Sequence, residues 1–405
     1  MELVDLFFGV LILLAGARLA GELFRRAKQP AMVGELLAGI ILGPTIFGLV
    51  IPSNELELLS TVSIFFLMLL IGLEMDLREI KRAGKSAIVI SMISLIIPFL
   101  AGYFITNSFG FNQIQSLFTG LLLSVTSVPV SAMILMELGL LKTKIGTTVM
   151  SVAVVDDIIS LGILAIIVSL YQSGNAGIDY TEVGISIGKI AIFLVGIIGL
   201  AYLVYNLKKW FPNKLESFFV KAKTREAIFG ILIIIAIAIS LLAEVANMHF
   251  IIGTFFAGLI FSEKILGKKE ADRAYGIVSG ITFGFFAPLF FAIVGMKFSG
   301  QSIVAFAPLL IFLVISGLAT KTLGGYIGAR VFKYQKTESL AIASLLNGRG
   351  TVGLAITSLA YSIGLIDITL FSVAVTICFV TTILTPIMAK PFLKKLNTSN
   401  YESTN

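Results

Sequence analysis

Charge is what this chain has least of. Asp, Glu, Lys and Arg make up 13% of its 405 residues, whereas an ordinary soluble domain carries about 25%. Hydrophobic residues make up 57%, and the mean hydropathy is +1.02. A soluble fold is excluded by this balance, and an all-α protein lying almost wholly within a bilayer is expected. The net charge of +7 is therefore read through loop topology rather than as a footprint for nucleic acid. The one cysteine, Cys378, lies in an apolar run. It cannot form an intrachain disulfide and is expected to be a buried, inert thiol. The one histidine, His249, falls in a short turn, where an incidental loop residue is the expectation over a pH sensor. Met1-Glu-Leu-Val-Asp5 lacks the basic region of a cleaved signal peptide, so the first helix is expected to be retained. No nucleophile–base pair, metal cluster or phosphate loop is present. The sequence thus implies neither an enzyme nor a cofactor.

Long apolar runs are what the chain has most of. Runs of spanning length fall at 3–24, 31–50, 56–74, 86–106, 114–137, 146–170, 184–206, 226–246, 248–262, 278–298, 303–330, 338–362 and 366–389, thirteen in all. The start of the run at 278–298 is weakened by Gly280 and Gly284. Of the 30 Lys and Arg, all but Arg18, Lys189, Lys297, Lys321 and Arg349 follow odd-numbered runs. Even-numbered connections such as Pro52–Glu57, Thr106–Gln113 and Gln172–Asp179 contain none. The positive-inside rule then puts the N-terminus outside and the C-terminus in the cytoplasm of a multi-pass plasma (inner) membrane protein.

The runs also repeat. Gly34-Glu-Leu-Leu-Ala-Gly-Ile-Ile-Leu-Gly43 in run 2 parallels Gly253-Thr-Phe-Phe-Ala-Gly-Leu-Ile-Phe-Ser262 in run 9. The end of run 3, Leu70–Asp76, parallels the end of run 10, Ala292–Phe298. Matched runs are seven apart, an odd number, so the two copies have opposite orientations, as in secondary transporters. The expected organisation is a first inverted repeat over residues 1–170, a connector and cytoplasmic loop over 171–225, a second repeat over 226–389 and a short cytoplasmic tail over 390–405. Inverted repeats predict paired broken helices that cross near the midplane. Run 5 carries Ser124-Val-Thr-Ser-Val-Pro-Val-Ser131, in which Pro129 removes a backbone donor and Thr126 and Ser127 can satisfy freed groups. Run 12 carries Asn347-Gly-Arg-Gly-Thr351 at the equivalent place.

Charges inside the runs mark the candidate site. Asp156 and Asp157 lie roughly 15 Å into run 6, near the middle of a ~30 Å hydrocarbon core. A charge there costs at least ~2.5–3.5 kcal/mol on insertion scales. Lys321 in run 11 lies comparably deep. Adjacent residues on a helix point about 100° apart, so one aspartate can face Lys321 while the other faces the crossing or a water-filled cavity. Carboxylate, hydroxyl and freed carbonyl oxygens at Asp156, Asp157, Thr126 and Ser127 suit a monovalent cation. A cation and a proton competing for one carboxylate is the physical basis of exchange between them. Arg349 is expected to compensate half-helix carbonyl ends, since a cation site is not built from arginine. Glu35 suits the first turn of a helix, with a cytoplasmic funnel as the alternative. Glu74 and Asp76 are either an ion-attracting rim or plain surface charge. Arg18 and Glu22, at i,i+4 spacing, are expected to pair. Lys297 is expected to snorkel.

The stretches Pro30–Pro44, Ile71–Asp76, Val155-Asp-Asp-Ile158 and Asn347-Gly-Arg-Gly350 together resemble the second monovalent cation/proton antiporter family over almost the whole chain. The Asp-Asp pair with Lys321 is most similar to its NapA-type sodium/proton antiporters. The resemblance implies thirteen helices in two inverted repeats. A core domain from 86–170 and 303–389 would move against a dimerisation domain in a homodimer. It implies that Asp157 binds the ion, that Asp156 pairs with Lys321, and that two protons exchange electrogenically for one sodium. Kef-type potassium relatives have Gln where Asp156 stands and a C-terminal nucleotide-binding domain, neither of which this sequence shows. Asn347 departs from the commoner start of its motif, which leaves its role open. A potassium/proton exchanger, electroneutral in one form, is the near alternative. A gated cation channel or a transport-dead sensor is the alternative of another class.

Overall fold

The computed structural model describes residues 2–74, 77–172, 225–245, 249–260 and 268–402, with isolated positions between 184 and 199. Among the described residues all regular structure is helical. Nine helices are long and apolar enough to cross a membrane, and Ala31–Leu42, Phe229–Val245 and Phe250–Ile260 are apolar but shorter. Together they occupy every expected run except the seventh. All but isolated positions of that run, and most of the 171–225 connector, lie outside the described residues, as does Asp76.

The elements are α1 (Glu2–Arg26), α2 (Ala31–Leu42), α3 (Asn54–Glu74), α4 (Leu77–Ser108), α5 (Gln113–Ser124), α6 (Val128–Glu137) and α7 (Lys144–Gln172). After the connector come α8 (Arg225–Val245), α9 (Phe250–Ile260) and α10 (Lys268–Ile281). A π-helical turn (Thr282–Phe286) joins α10 to α11 (Ala287–Met296). The chain closes with α12 (Gly300–Ala305), α13 (Ala307–Val331), α14 (Lys336–Leu345), α15 (Gly350–Ser362) and α16 (Ile368–Glu402).

Three boundaries differ from the hydropathy reading, each for a local reason. The second run was expected to reach residue 50, but α2 stops at Leu42. Pro44 forces Gly43 out of the helical region, to φ −77° and ψ −175°. The chain then turns, with Phe47 N–H on the Ile41 carbonyl at 3.0 Å and Gly48 N–H on the Gly43 carbonyl at 2.8 Å. The tenth run does not start late. It is helical from Lys268 and passes Gly284 through the π turn, where Phe286 stacks on Phe66 with centroids 4.5 Å apart. The last run was expected to end at residue 389, but its helix continues to Glu402, with Ala389 and Leu393 buried in the hydrophobic cluster.

The helices form two compact units. The first comprises Met1–Leu56, Glu79–Ile167 and Phe291–Asn405, and the second comprises Glu57–Arg78 and Val168–Phe290. The first unit buries Ile90, Ile134, Leu135, Val149, Leu345 and Leu346 in one cluster, and the second buries Leu69, Leu232, Ala236 and Ala257 in another. Lipid is as apolar as leucine, so close packing rather than water exclusion holds such helices together, and small residues mark the contacts. In the first unit α2 crosses α11. A Cβ added at Gly39 would stand 1.9 Å from the Ala292 carbonyl oxygen, and one at Gly295 would stand 2.1 Å from that of Leu36. In the second unit α9 crosses α3. A Cβ at Gly258 would stand 2.4 Å from the Leu69 oxygen, and one at Gly72 would stand 2.2 Å from that of Phe255. The sequence parallel matches Gly39 to Gly258 and Leu36 to Phe255, while the contacts themselves give Gly295 the place of Gly72 and Ala292 that of Leu69, one residue out of the register in which Leu70–Asp76 parallels Ala292–Phe298. A glycine-on-carbonyl crossing is therefore built twice, each time between a helix from residues 1–170 and one from residues 226–389.

The broken helices repeat as well. Both α5 and α14 open with a reciprocal capping box, Asn112 with Gln115 and Gln335 with Glu338. Each such cap satisfies two otherwise orphaned N–H groups. Pro129 does not kink a continuous helix. It occupies the first turn of α6, where its missing N–H costs nothing. At the second break Gly350 has φ +42° and lies so close to α6 that a Cβ would sit 2.1 Å from Ser127 Oγ. Conformation and space both require glycine there.

Candidate ion-binding site

The extended residues Val125 to Ser127 separate α5 from α6, and Leu346 to Arg349 separate α14 from α15. The two breaks touch. Ser127 N–H donates to the Gly348 carbonyl at 2.6 Å. Ser131 Oγ donates to the Leu345 carbonyl at 2.8 Å, and the Thr126 hydroxyl, whose one proton is shared with a closer acceptor, lies 3.2 Å from the Leu346 carbonyl. Hydroxyls of one break thus satisfy the carbonyls freed by the other, which meets the bilayer's demand that no backbone group be left bare.

Asp156, Asp157, Lys321 and Arg349 are all fully buried. Lys321 Nζ lies 2.8 Å from Asp156 Oδ2. Thr126 Oγ1 donates to the same oxygen at 2.6 Å. Ser91 Oγ, from α4, donates to Asp156 Oδ1 at 2.5 Å. Lys321 Nζ also donates to the Ser124 carbonyl at the C-terminal end of α5. Burying an ion pair is favourable only with good geometry and further hydrogen bonds to the remaining lone pairs. Ser91, Thr126 and Ser124 supply those bonds. Asp157 stands next along α7, within electrostatic range of Lys321.

Arg349 spans the break. Its Nη1 donates to the Asn347 carbonyl at 2.9 Å, and its Nη2 donates to the carbonyls of Leu123 at 2.7 Å and Gly317 at 3.2 Å. A permanent cation there offsets the partial negative charge at the end of α5. Asn347 Nδ2 donates to Thr322 Oγ1 at 2.8 Å and to the Ala343 carbonyl at 3.0 Å. Four buried side-chain oxygens near these elements, Ser127 Oγ, Ser160 Oγ, Asn347 Oδ1 and Thr351 Oγ1, hold no protein hydrogen bond. Neutral oxygens of this kind are among the ligands that hard cations take.

The structure thus gathers Asp156, Lys321, Thr126, Ser127, Asn347 and Arg349 about one crossing, with Pro129 setting the start of α6. Glu35 lies elsewhere in the first unit, buried against Gly21 of α1, with Arg18 and Arg25 acting on it. Glu22 pairs with Arg25 at 3.5 Å and Arg26 at 3.2 Å. In the second unit Glu74 accepts from the Tyr275 hydroxyl at 2.9 Å. Lys297 sits 5.6 Å from the centre of the Tyr361 ring. Sequence reasoning missed Ser91, Ser124 and Thr322. The available signal for Ser91 was a pair of serines, Ser91 and Ser94, inside an apolar run, and serine is too common in membrane helices to stand out. It also missed a further repeat. Ser151-Val-Ala-Val154 on α7 recurs as Ser372-Val-Ala-Val375 on α16, which puts Cys378 in register with Asp157. Buried Cys378 lies near Arg349, so the position matched to Asp157 by this sequence parallel carries a thiol beside a guanidinium.

An antiporter of Enterococcus hirae named Na(+)/H(+) antiporter is 28% identical over 96% of this chain and 99% of its own. The Na(+)/H(+)-K(+) antiporter GerN of Bacillus cereus is 31% identical over 95% of this chain and 96% of its own. The solved structure of the sodium proton antiporter MjNhaP1 from Methanocaldococcus jannaschii superposes with a TM-score of 0.71 at 17% identity, covering 98% of this chain and 99% of that one. Its likeness is one of fold. Residues 9–395 match the family described as sodium/hydrogen exchanger, transmembrane. The chain therefore belongs to the sodium/hydrogen exchanger family of monovalent cation/proton antiporters.

Proposed function

We propose that this chain exchanges sodium for protons across a membrane by alternating access, with Asp157 as the carboxylate for which cation and proton compete. One observation carries the reading: Asp156 is engaged by Lys321, Thr126 and Ser91, and its neighbour Asp157 lies on the same buried helix. The two aspartates then have separate tasks. Asp156 and Lys321 form a switchable pair. Asp157 takes the ion, helped by oxygens of Thr126, Ser127 and Asn347. Sodium entry at Asp157 displaces one proton there and a second from the Lys321–Asp156 pair. Two protons leave for each sodium, and the cycle moves net charge. The moving part is the core of residues 86–170 and 303–389, and the remaining helices form the scaffold of a NapA-type homodimer. The N-terminus lies outside and the C-terminus in the cytoplasm.

A second reading is supported by one relative, whose name includes potassium. Potassium in place of sodium uses the same carboxylate chemistry. Both readings are tested in proteoliposomes with Na⁺, Li⁺ and K⁺ gradients, with and without a clamped membrane potential. Proton flux driven by sodium and sensitive to potential is expected. Flux independent of all three cations sinks the exchange, flux driven by potassium alone selects the second reading, and indifference to potential removes the two-for-one stoichiometry.

A further inference from the structure

We infer that Ser160 is a further ligand of the exchanged cation, its hydroxyl oxygen standing beside the carboxylate of Asp157. This rests on the function proposed above, in which Ser160 has no part.

Ser160 follows Asp156 by four residues and Asp157 by three on α7. Residues at those spacings are neighbours on a helix surface. In projection Ser160 falls about 40° beyond Asp156 and about 60° short of Asp157, between the two carboxylates. Each Cα–Cβ bond tilts toward the helix N-terminus, so that of Ser160 leans back over the turn that carries the pair. Burial follows the same division. Ser160, Leu161 and Leu164 are buried with the aspartates, while Ile158, Ile159, Gly162 and Ile163 are half-buried on the opposite half of the helix.

A hydroxyl inside a membrane helix ordinarily turns back onto its own backbone, three or four residues earlier. This chain does so repeatedly: Ser63 onto Leu59, Thr119 onto Gln115, Ser240 onto Ala236, Thr357 onto Gly353 and Thr381 onto Ile377. Ser160 is 2% exposed, yet its Oγ has no hydrogen-bond partner among the described residues. It does not join Ser91, Thr126 and Lys321 in donating to Asp156. Burying a hydroxyl without a partner is costly, and a partner on its own helix is within reach. Ser127 Oγ and Asn347 Oδ1, which the proposed function gives to the ion, are unpartnered in the same way.

A serine oxygen has two lone pairs and one proton. With a lone pair turned to a cation, the proton can swing onto the Asp156 carbonyl, four residues earlier, so both capacities of the hydroxyl are used at once. Hard cations take oxygen ligands. Ser127 and Asn347 offer theirs from the two breaks, and Ser160 offers one from the helix that carries the carboxylate itself.

Two measurements test this. In proteoliposomes, Ser160→Ala is expected to raise the apparent KM for sodium about tenfold, the loss of one contact to a charged group, with the maximal rate at saturating sodium kept. Ser160→Cys fills the same space with a soft sulfur that suits sodium poorly and is expected to follow alanine. In thermal unfolding of the detergent-solubilised protein, sodium chloride is expected to raise the wild-type Tm above its value in choline chloride of equal strength, as a ligand of the folded state does. Ser160→Ala should match wild type in choline, because the hydroxyl it loses has no partner, and should gain less from sodium. An alanine variant with the wild-type KM and the wild-type sodium increment overturns the assignment. So does a cysteine variant that restores the wild-type KM, which would make Ser160 a packing residue, and so does a lower Tm in choline with an unchanged sodium increment. A wild type that neither exchanges sodium for protons nor is stabilised by it overturns the proposed function instead, so the two failures are distinct.

Discussion

Lys321 and Arg349 donate to consecutive carbonyls, those of Ser124 and Leu123, at the C-terminal end of α5. Two cations on one half-helix end exceed what its partial charge of about −0.5 requires. The excess positive charge is met by the carboxylates of α7, so the broken helix, the buried cations and the aspartates are one electrostatic unit.

Loss of Lys321 should leave Asp156 buried without its cation. Lys321→Ala is expected to destabilise the protein by about 3–5 kcal/mol, and Asp156→Asn added to it should recover part of that loss. Thermal unfolding in detergent or lipid reads both. A double variant no more stable than Lys321→Ala would mean that the two do not act as a pair.

Arg349 contacts three carbonyls through a planar fork. Lysine, a point charge, cannot span them. Arg349→Lys should therefore lose at least one charged hydrogen bond, worth about 1.5–3 kcal/mol. Stability equal to wild type would show that the fork is dispensable.

The twin glycine crossings make a symmetric prediction. Gly39→Ala and Gly258→Ala both drive a methyl into a carbonyl oxygen of the neighbouring helix and should each cost about 1–3 kcal/mol. Gly162→Ala on α7 meets nothing within 4 Å and should be neutral or slightly stabilising. Equal effects at all three positions would deny the close packing.

Burial pushes the His249 imidazole down to about 4, while an unfolded chain titrates near about 6.5. Between those values the unfolded chain binds more protons. The stability contributed by neutral, half-buried His249 is therefore intact above about pH 6.5 and is lost as pH falls toward 4. His249→Gln should flatten that decline and leave the pH profile of exchange at neutral pH unmoved. A shifted profile would make His249 a sensor.

How much of this was legible depends on the residue. Asp156, Asp157, Lys321 and Arg349 declared themselves because charge in an apolar run is costly. Pro129 and Asn347-Gly-Arg-Gly350 declared the breaks because proline and glycine interrupt helices. Which aspartate turns toward Lys321 was not legible from spacing, since the two directions on a helix are equally available until α4 and α13 pack. Ser91 was illegible for the same reason. Its contact with Asp156 appears only when Gly324 and Gly328 bring α4 against Lys321's helix. The early end of α2 was written in Gly43-Pro44, but hydropathy alone runs on through it. Glu22 had cations at three, four and minus four positions, and spacing singled out Arg18 without marking that Arg25 and Arg26 also reach it.

Neutralising the other aspartate tests the site. Asp157→Asn should abolish cation-driven proton flux in proteoliposomes while leaving the fold intact, because removing a buried charge relieves its desolvation. Full activity in that variant would move the ion site elsewhere.

The most direct measurement is the sodium dependence of exchange at a series of pH values. If cation and proton compete for one buried carboxylate, the apparent KM for sodium rises about tenfold for each unit of falling pH below the carboxylate's pKa, and the maximal rate at saturating sodium stays constant. A KM that does not change with pH, or a maximal rate that falls with the proton concentration at saturating sodium, contradicts competition at Asp157.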